Sequence, residues 1–305
     1  CKPEARSNAN ILYWSPHQWG FFLVLAGPTL VATVVLQQFP DIRRMFAYTP
    51  LPGQLNSFTD VLKWSALGSV GYLVVYLLCG SVFVLTSNVP WTAERKEQIL
   101  YEIKLSSSSV VILVFTGMVW FRYVDHLLPF YGFWAEREIT WLSFAFMFFA
   151  YTFIFDTWFY WTHRLLHVKS FFGINMWKQV HLWHHCLKTP SAFAQDAVHP
   201  AEALLQGLGH FIVSIFAPVH PVLASLMGGM TLIYALASHD GREYDLSNHI
   251  VHHYFVNYNF AIYFGFWDMV MGTRWTDISK LQDLKMKNGV LKFPEEACGE
   301  EKKVS

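Results

Sequence analysis

Apolar residues in this chain come in long unbroken runs. The segments WGFFLVLAGPTLVATVVLQQF (Trp19 to Phe39) and ALGSVGYLVVYLLCGSVFVL (Ala66 to Leu85) approach the ~20 residues that cross a bilayer as a helix. Two further runs, SVVILVFTGMVWF (Ser109 to Phe121) and WLSFAFMFFAYTFIF (Trp141 to Phe155), meet charge early, at Arg122 and Asp125 and at Asp156. Charge at such depth is costly unless it is paired or near an interface. Arg122 and Asp125 are three apart, so they are expected to pair on one helix face. A last stretch, Ala203 to Ala237, is broken by APVHP (Ala217 to Pro221) and reads as a hairpin of two helices, because proline removes backbone donors. The polar stretch WTAERKEQILYEIK (Trp91 to Lys104) reads as a connecting loop, and the segment from Asp277 as a solvated tail. The expected fold is therefore all-α, a multi-pass membrane bundle of about four transmembrane helices plus a hairpin. Residues 1–140 are expected to hold the amino-terminal membrane helices and connecting loops, 141–275 a second unit and 276–305 a polar tail.

Composition agrees with a membrane setting. Of 305 residues, 53% are hydrophobic and only 14% charged, against roughly 25% charged in an average soluble domain. Formal net charge is zero, which gives no footprint for a nucleic-acid partner. Lysine and arginine are uneven: five of 22 fall in Asp41 to Lys63 or Arg122 to Glu138, and twelve lie from Arg164 onward. The positive-inside rule then places the carboxy-terminal half and the Trp91 to Lys104 segment in the cytosol. Cys1, Cys79, Cys186 and Cys298 are scattered, with no C-x-x-C, and no disulfide is expected.

Of fourteen histidines, twelve lie between His163 and His253. Three words stand out: HRLLH (His163, His167), HLWHH (His181, His184, His185) and HIVHH (His249, His252, His253). Positions i, i+3 and i+4 share a helix face, so each word is expected to aim its imidazoles one way, HRLLH just beyond the cytosolic end of a membrane helix and the other two on helices of a cytosolic cap lying against the membrane. Imidazole suits Zn, Fe, Cu and Ni, and eight such ligands exceed what one ion takes, which favours two metals. No H-E-x-x-H, finger spacing or Glu-x-x-His pair is present, so zinc hydrolase and carboxylate-bridged di-iron readings give way to an all-histidine pair. Spacing leaves His239 open between a helix end and a ninth ligand. His17, His126, His210 and His220 read as ordinary hydrogen-bonded or interfacial residues, and His199 has no assigned role. Asp156, Asp196, Asp240 and Asp268 are candidates for orienting imidazoles, or equally for caps and ion pairs.

The three histidine words in this order resemble the fatty acid hydroxylase/sterol desaturase superfamily of membrane-bound non-haem di-iron oxidases, over roughly Trp141 to Trp275. YWTHRLLH, TPSAFAQDAVHPAEALLQG, SHDG and NHIVHHYFVNYNFAIYFGFWDMVMGT are most similar to its sterol Δ5-desaturases of the lathosterol oxidase type. The resemblance implies that His239 joins the other eight in a nine-histidine iron set. It also implies O2-dependent introduction of the 5(6) double bond into a Δ7-sterol, with cytochrome b5 and its NAD(P)H-dependent reductase as electron donors. Sterol or fatty acyl hydroxylation and 4-methyl oxidation are the alternatives within the superfamily. Lys169, Lys178 and Lys188 offer a docking face for an acidic partner or for lipid headgroups. The terminal KKVS resembles a dilysine retrieval signal, implying the endoplasmic-reticulum membrane. Two readings from other classes are a membrane metal carrier, which calls for ionisable residues along several helices, and a bis-imidazole haem protein.

Overall fold

Each long helix whose start is defined begins where a side chain satisfies its first free amides. Ser57 accepts from the Asp60 amide while the Asp60 side chain returns to the Ser57 amide, Thr92 accepts from the Arg95 amide, and Thr140 and Ser143 form the same reciprocal box. The computed structural model describes residues 16–48, 55–87, 91–186, 190–240 and 249–275. Lys188, Gly241 of the SHDG word and the carboxy-terminal tail with its dilysine pair lie outside the described residues.

In chain order the helices are α1 (Pro16–Gln38), α2 (Pro40–Met45), α3 (Phe58–Leu85), α4 (Ala93–Tyr123), α5 (Trp141–Leu166), α6 (Leu182–His185), α7 (Pro200–Gly207), α8 (Gly209–Phe216), α9 (Pro221–Asp240), α10 (His249–Phe255) and α11 (Phe266–Val270). Among the described residues there is no strand, only an isolated bridge between Phe171 and Ile174. Five helices are long and apolar enough to cross a membrane: α1 from Gly20, α3, α4, α5 and α9. Their outer faces carry Leu23, Val31, Leu67, Val70, Leu78, Phe146 and Phe149 in the open, as a lipid-facing surface requires.

Three expectations change. The segment from Trp91 to Lys104 is not a loop, since its residues from Ala93 onward are the first turns of α4, which at 31 residues is roughly 47 Å long. A capped, proline-free charged segment continues the helix past the bilayer rather than breaking it. Arg122 does not pair with Asp125: α4 ends at Tyr123, so the i,i+3 register is lost, and Arg122 donates to the Asn56 carbonyl at 3.3 Å and lies over the Tyr123 ring. The first arm of the hairpin is two short helices, α7 and α8, joined at Leu208, while its second arm, α9, is long enough to span by itself.

Between α6 and α7 the chain dips into the bundle. Residues 191–194 are buried in a 3-10 turn packed against α3, α4 and α9. Non-helical backbone at this depth must be satisfied by protein, and one face of α4 supplies the partners. Glu102 accepts from the Ser191 amide at 3.1 Å and from its hydroxyl, Ser106 donates to the Phe193 carbonyl at 3.1 Å, and Ser109 donates to the Val198 carbonyl at 2.8 Å. Tyr76 adds a second donor to Phe193, and Tyr72 donates to Asp196 at 2.9 Å.

Candidate metal centre

The nine histidines come from the last turn of α5 and its cap (His163, His167), a π-helical turn at Trp177–His181, α6, the end of α9 (His239) and α10. All except His167 are buried. They form two groups, in each of which one nitrogen per residue lies within 4.8 Å of all the others: His163, His167, His181, His185 and His252, and separately His184, His239, His249 and His253. His126, His199, His210 and His220 stand outside both. His199 caps α7, its Nδ1 accepting from the Ala201 amide at 3.1 Å, and His220 is buried against the Arg43 carbonyl.

The expectation that each H-x-x-H-H word aims all three imidazoles in one direction does not hold. His181 and His185 join the first group and His184 the second, whereas His249 and His253 join the second and His252 the first. The reason lies in helix geometry: at about 100° per residue, i and i+4 differ by about 40°, while i+3 stands about 60° to the other side of i. A helix end between two centres therefore sends i and i+4 to one and i+3 to the other. The two words do this in opposite senses.

Ring orientation is fixed from behind. His163 Nδ1 donates to the Phe260 carbonyl at 2.8 Å, His252 Nδ1 to Tyr258 at 2.7 Å, His239 Nδ1 to Ala235 at 2.7 Å and His184 Nδ1 to Ala197 at 3.4 Å. A carbonyl only accepts, so these rings carry their proton on Nδ1 and present a bare lone pair at Nε2. The bare Nε2 atoms of His184 and His239 nevertheless face each other at 3.3 Å. In the first group the Nε2 separations are 3.1 Å (His163 to His181), 3.0 Å (His181 to His185), 2.9 Å (His185 to His252) and 3.2 Å (His252 to His167). Two nitrogens bound about 2.1 Å from one metal at 90–109° lie roughly 3.0–3.4 Å apart. These spacings match adjacent corners of a coordination shell, and no proton lies between the facing Nε2 atoms of His184 and His239, so the residues fit a cation in each group.

Burial, then mutual repulsion, pushes the imidazoles of His181, His185, His249 and His252 well below their ordinary value, and that of His167 to about 2. His184 is held well down by the same two causes. Neutral imidazole is the form that binds metal.

The carboxylate behind the rings is Glu202 on α7, whose Oε1 meets His181 Nδ1 at 2.8 Å in full burial. Burial raises the Glu202 carboxyl well above its usual range and lowers His181, so without a cation the pair is neutral. A cation on Nε2 makes Nδ1–H the donor to a carboxylate, the common pattern behind metal-bound histidine. Glu202 has no mark in the histidine spacing; its only signal is the word HPAE that follows the buried turn. Asp156 and Asp268 touch no imidazole. Asp156 accepts from the Ile262 and Tyr263 amides at 3.0 and 2.9 Å, and Asp268 from the Phe260 and Ala261 amides at 3.0 and 2.8 Å. Together they fix the backbone whose Phe260 carbonyl holds His163. Asp196 serves Tyr72 instead. Cys186 is disulfide-bonded, against the expectation of none, and it joins neither group.

A cavity of about 300 Å³ opens beside the groups, bordered by His163 of the first and by His184, His239 and His249 of the second. Apolar side chains of α4, α5 and α9, among them Leu113, Phe155, Phe159 and Leu232, form most of the remaining wall.

Residues 148–273 match the family model described as Fatty acid hydroxylase. The chain is 31% identical to lathosterol oxidase of Homo sapiens over 134 residues, which are 41% of this chain and 43% of that protein. Similarity to the Delta(7)-sterol 5(6)-desaturase of Candida glabrata is 26% over 263 residues, 79% of this chain and 68% of that one. Methylsterol monooxygenase 1 of Rattus norvegicus is 31% identical over 130 residues, 39% of this chain and 43% of that protein. The matched stretch thus spans less than half the length of the lathosterol oxidases. No solved structure matches the chain.

Proposed function

From the match of residues 148–273 to the fatty acid hydroxylase family model and the likeness to sterol desaturases, we propose that this chain is a membrane-bound oxidoreductase of sterol metabolism and a member of the fatty acid hydroxylase/sterol desaturase superfamily. Its reaction is the introduction of the 5(6) double bond into a Δ7-sterol. The observation that carries the reading is the pair of converging imidazole groups set at one end of a membrane-spanning bundle, opening on an apolar cavity. Nine residues hold the metals: His163, His167, His181, His185 and His252 one ion, His184, His239, His249 and His253 the other. Iron is the metal assigned, because imidazole accommodates it and removal of hydrogen from an unactivated C–H bond needs a redox-active ion. When bound, the two irons supply activation of O2 for that removal.

The chain's own residues do the rest. Backbone carbonyls of Phe260, Tyr258, Ala235 and Ala197 hold the Nδ1 protons, so the Nε2 lone pairs stay available without rotation of the rings. Phe155 and Phe159 on the cavity wall exclude water. Three of the four residues of the smaller group border the cavity, against one of five in the larger, so the smaller group faces the substrate. The larger group lies against Trp177, whose ring stands 4.8 Å from His167 and 5.1 Å from His185, with Lys178 and Lys169 exposed beside it. Electrons are proposed to arrive at this face from cytochrome b5 and its NAD(P)H-dependent reductase, in the endoplasmic-reticulum membrane with the histidines cytosolic. Five imidazoles around one point leave no plane for a porphyrin, which disfavours the haem reading.

Hydroxylation of the same class of lipid is the second reading, supported by the likeness to methylsterol monooxygenase 1. Sterol mass spectrometry of cells lacking and re-expressing the chain separates the two. Appearance of a product lighter than a Δ7-sterol by about 2 mass units is the expected result, each removed hydrogen being one unit. A product heavier by one oxygen assigns hydroxylation, and an unchanged sterol profile sinks the sterol reading. Loss of bound iron and of product in His184→Ala and His252→Ala is expected; retention of both would remove the histidines from the site.

A further inference from the structure

Beyond the metal-proximal cavity lies a second one of about 200 Å³, between the carboxy-terminal end of α4, the end of α8 and the start of α9. The two share four lining residues: Phe121, His210, Phe211 and Gly228. Three of these are rings held by neighbours. Phe211 stacks on Trp120 at 5.8 Å and meets Phe121 edge-on at 5.7 Å. His210 stacks on Phe155 at 4.3 Å, with its Nδ1 2.7 Å from the Tyr151 hydroxyl. Gly228, on α9, has no side chain to add, and a Cβ built there meets only the Tyr151 hydroxyl, at 3.6 Å, an ordinary contact. A methyl group at 228 therefore meets no clash, and any larger side chain there would extend from a residue that both cavities share.

The distal cavity suits an apolar occupant. Several of its polar groups are turned to the protein: Trp134 donates to the Pro218 carbonyl at 2.6 Å and Ser214 to the Phe211 carbonyl at 2.6 Å, and Tyr151 is taken by His210; Asp125, Tyr131 and Ser225 also border it. Aromatic and aliphatic surface from Trp120, Leu128, Phe130 and Val219 remains. Gly228 lies roughly 16 Å along α9 from His239, and Pro221, at the far side of the distal cavity, roughly 27 Å, at 1.5 Å per residue. The proximal cavity alone stands at the low end of the ~300–1,000 Å³ of ligand sites, and an elongated lipid with its reacting carbon at the imidazoles needs space beyond it.

We propose that the aliphatic tail of the substrate threads past Gly228 into the distal cavity, and that the absence of a side chain at 228 sets the longest tail the enzyme accepts. This rests on the sterol reading above and adds to it a specificity-determining position. Gly228 is neither a metal ligand nor in contact with one of the nine histidines, so its substitution leaves the two imidazole groups in place.

The test compares Gly228→Leu, with Gly228→Ala as a graded variant, on a Δ7-sterol carrying its full C17 side chain and on the analogue cut back at C17. Expected is a KM at least tenfold higher for the full-length sterol in Gly228→Leu, an intermediate rise in Gly228→Ala, and KM within twofold of the parent for the truncated one. Iron per chain is expected unchanged in both variants and the thermal unfolding midpoint level or raised. An equal rise for both sterols, or none for either, overturns the proposal. Native mass spectrometry of co-purified lipids tests the passage independently of turnover: the retained lipids are expected to shift to shorter species in Gly228→Leu, and an identical profile overturns it. If the parent converts neither sterol, the sterol reading falls, while the lipid profile still decides the passage.

Discussion

At the scale of single residues, the consequential group is one that binds no metal. Glu202 is the sole carboxylate found on an imidazole Nδ1 among the described residues, and it is buried beside a ring that must keep its Nε2 lone pair forward. Replacement of such a partner typically costs 10–100-fold in metal affinity. Glu202→Ala is therefore expected to lose metal from the five-histidine group at chelator concentrations about tenfold to a hundredfold lower than the parent. Glu202→Gln, which still offers an oxygen to Nδ1–H but no charge, should fall between the two. Metal per chain measured across a chelator titration checks the order; equal retention in the parent and the alanine variant would show that the Glu202 contact does not support the ring. The histidines themselves were legible one by one in H-x-x-x-H and H-x-x-H-H, yet their division between two groups was not. Helix geometry parts i and i+4 from i+3, but which group each set joins depends on how the Trp177–His181 turn and α10 dock, and that leaves no trace in spacing.

At the scale of elements, the membrane helices were readable because a ~20-residue apolar run has few other fates, whereas the true start of α4, capped by Thr92, lies in a charged stretch that reads as a loop. Hidden from the sequence was the fate of the residues between α6 and α7, whose ordinary loop composition gives no hint that Ser191 to Ala194 are buried against α3 and α4. The sign lay instead on the other side of the contact, in Glu102, Ser106 and Ser109 on one face of an otherwise apolar helix. This contact makes a paired prediction on α3. A Cβ at Gly80 would fall on the Phe193 ring, whereas one at Gly71 meets nothing within 4 Å. Helix propensity alone favours alanine by about 1 kcal/mol at either site, but overpacking costs about 1–3 kcal/mol. Gly71→Ala is thus expected to leave the unfolding midpoint in detergent level or raised, and Gly80→Ala to lower it. A gain at Gly80 would mean that the turn yields freely and does not brace the cavity wall.

At the scale of the whole molecule, many imidazoles are held neutral in one buried region, and this ties stability to pH with a definite sign. Unfolded histidines titrate near 6.5, whereas burial keeps His167 at about 2 and holds His181, His185 and His252 well below their ordinary value. Above pH 6.5 neither state binds these protons, and stability is independent of them. As pH falls through 6.5 the unfolded chain gains protons that the folded chain refuses, so stability is lost. Each such group contributes a slope of up to about 1.4 kcal/mol per pH unit, continuing down to its folded value. For metal-free protein the unfolding midpoint is therefore expected flat from pH 8 to 7 and falling steeply from pH 6.5 to 5. Metal-loaded protein should lie higher throughout, because an ion that binds only the folded groups adds RT ln(1 + [L]/Kd), and should fall as well, since its folded imidazoles are equally closed to protons. Replacement of His199, which caps α7 outside both groups, should leave the slope nearly unchanged, whereas removal of His252 should reduce it. A metal-free midpoint that rose on acidification would mean that the groups take up protons while folded. The two imidazole clusters would then be open, water-filled sites rather than the closed, lone-pair-bearing shells that the ring geometry describes.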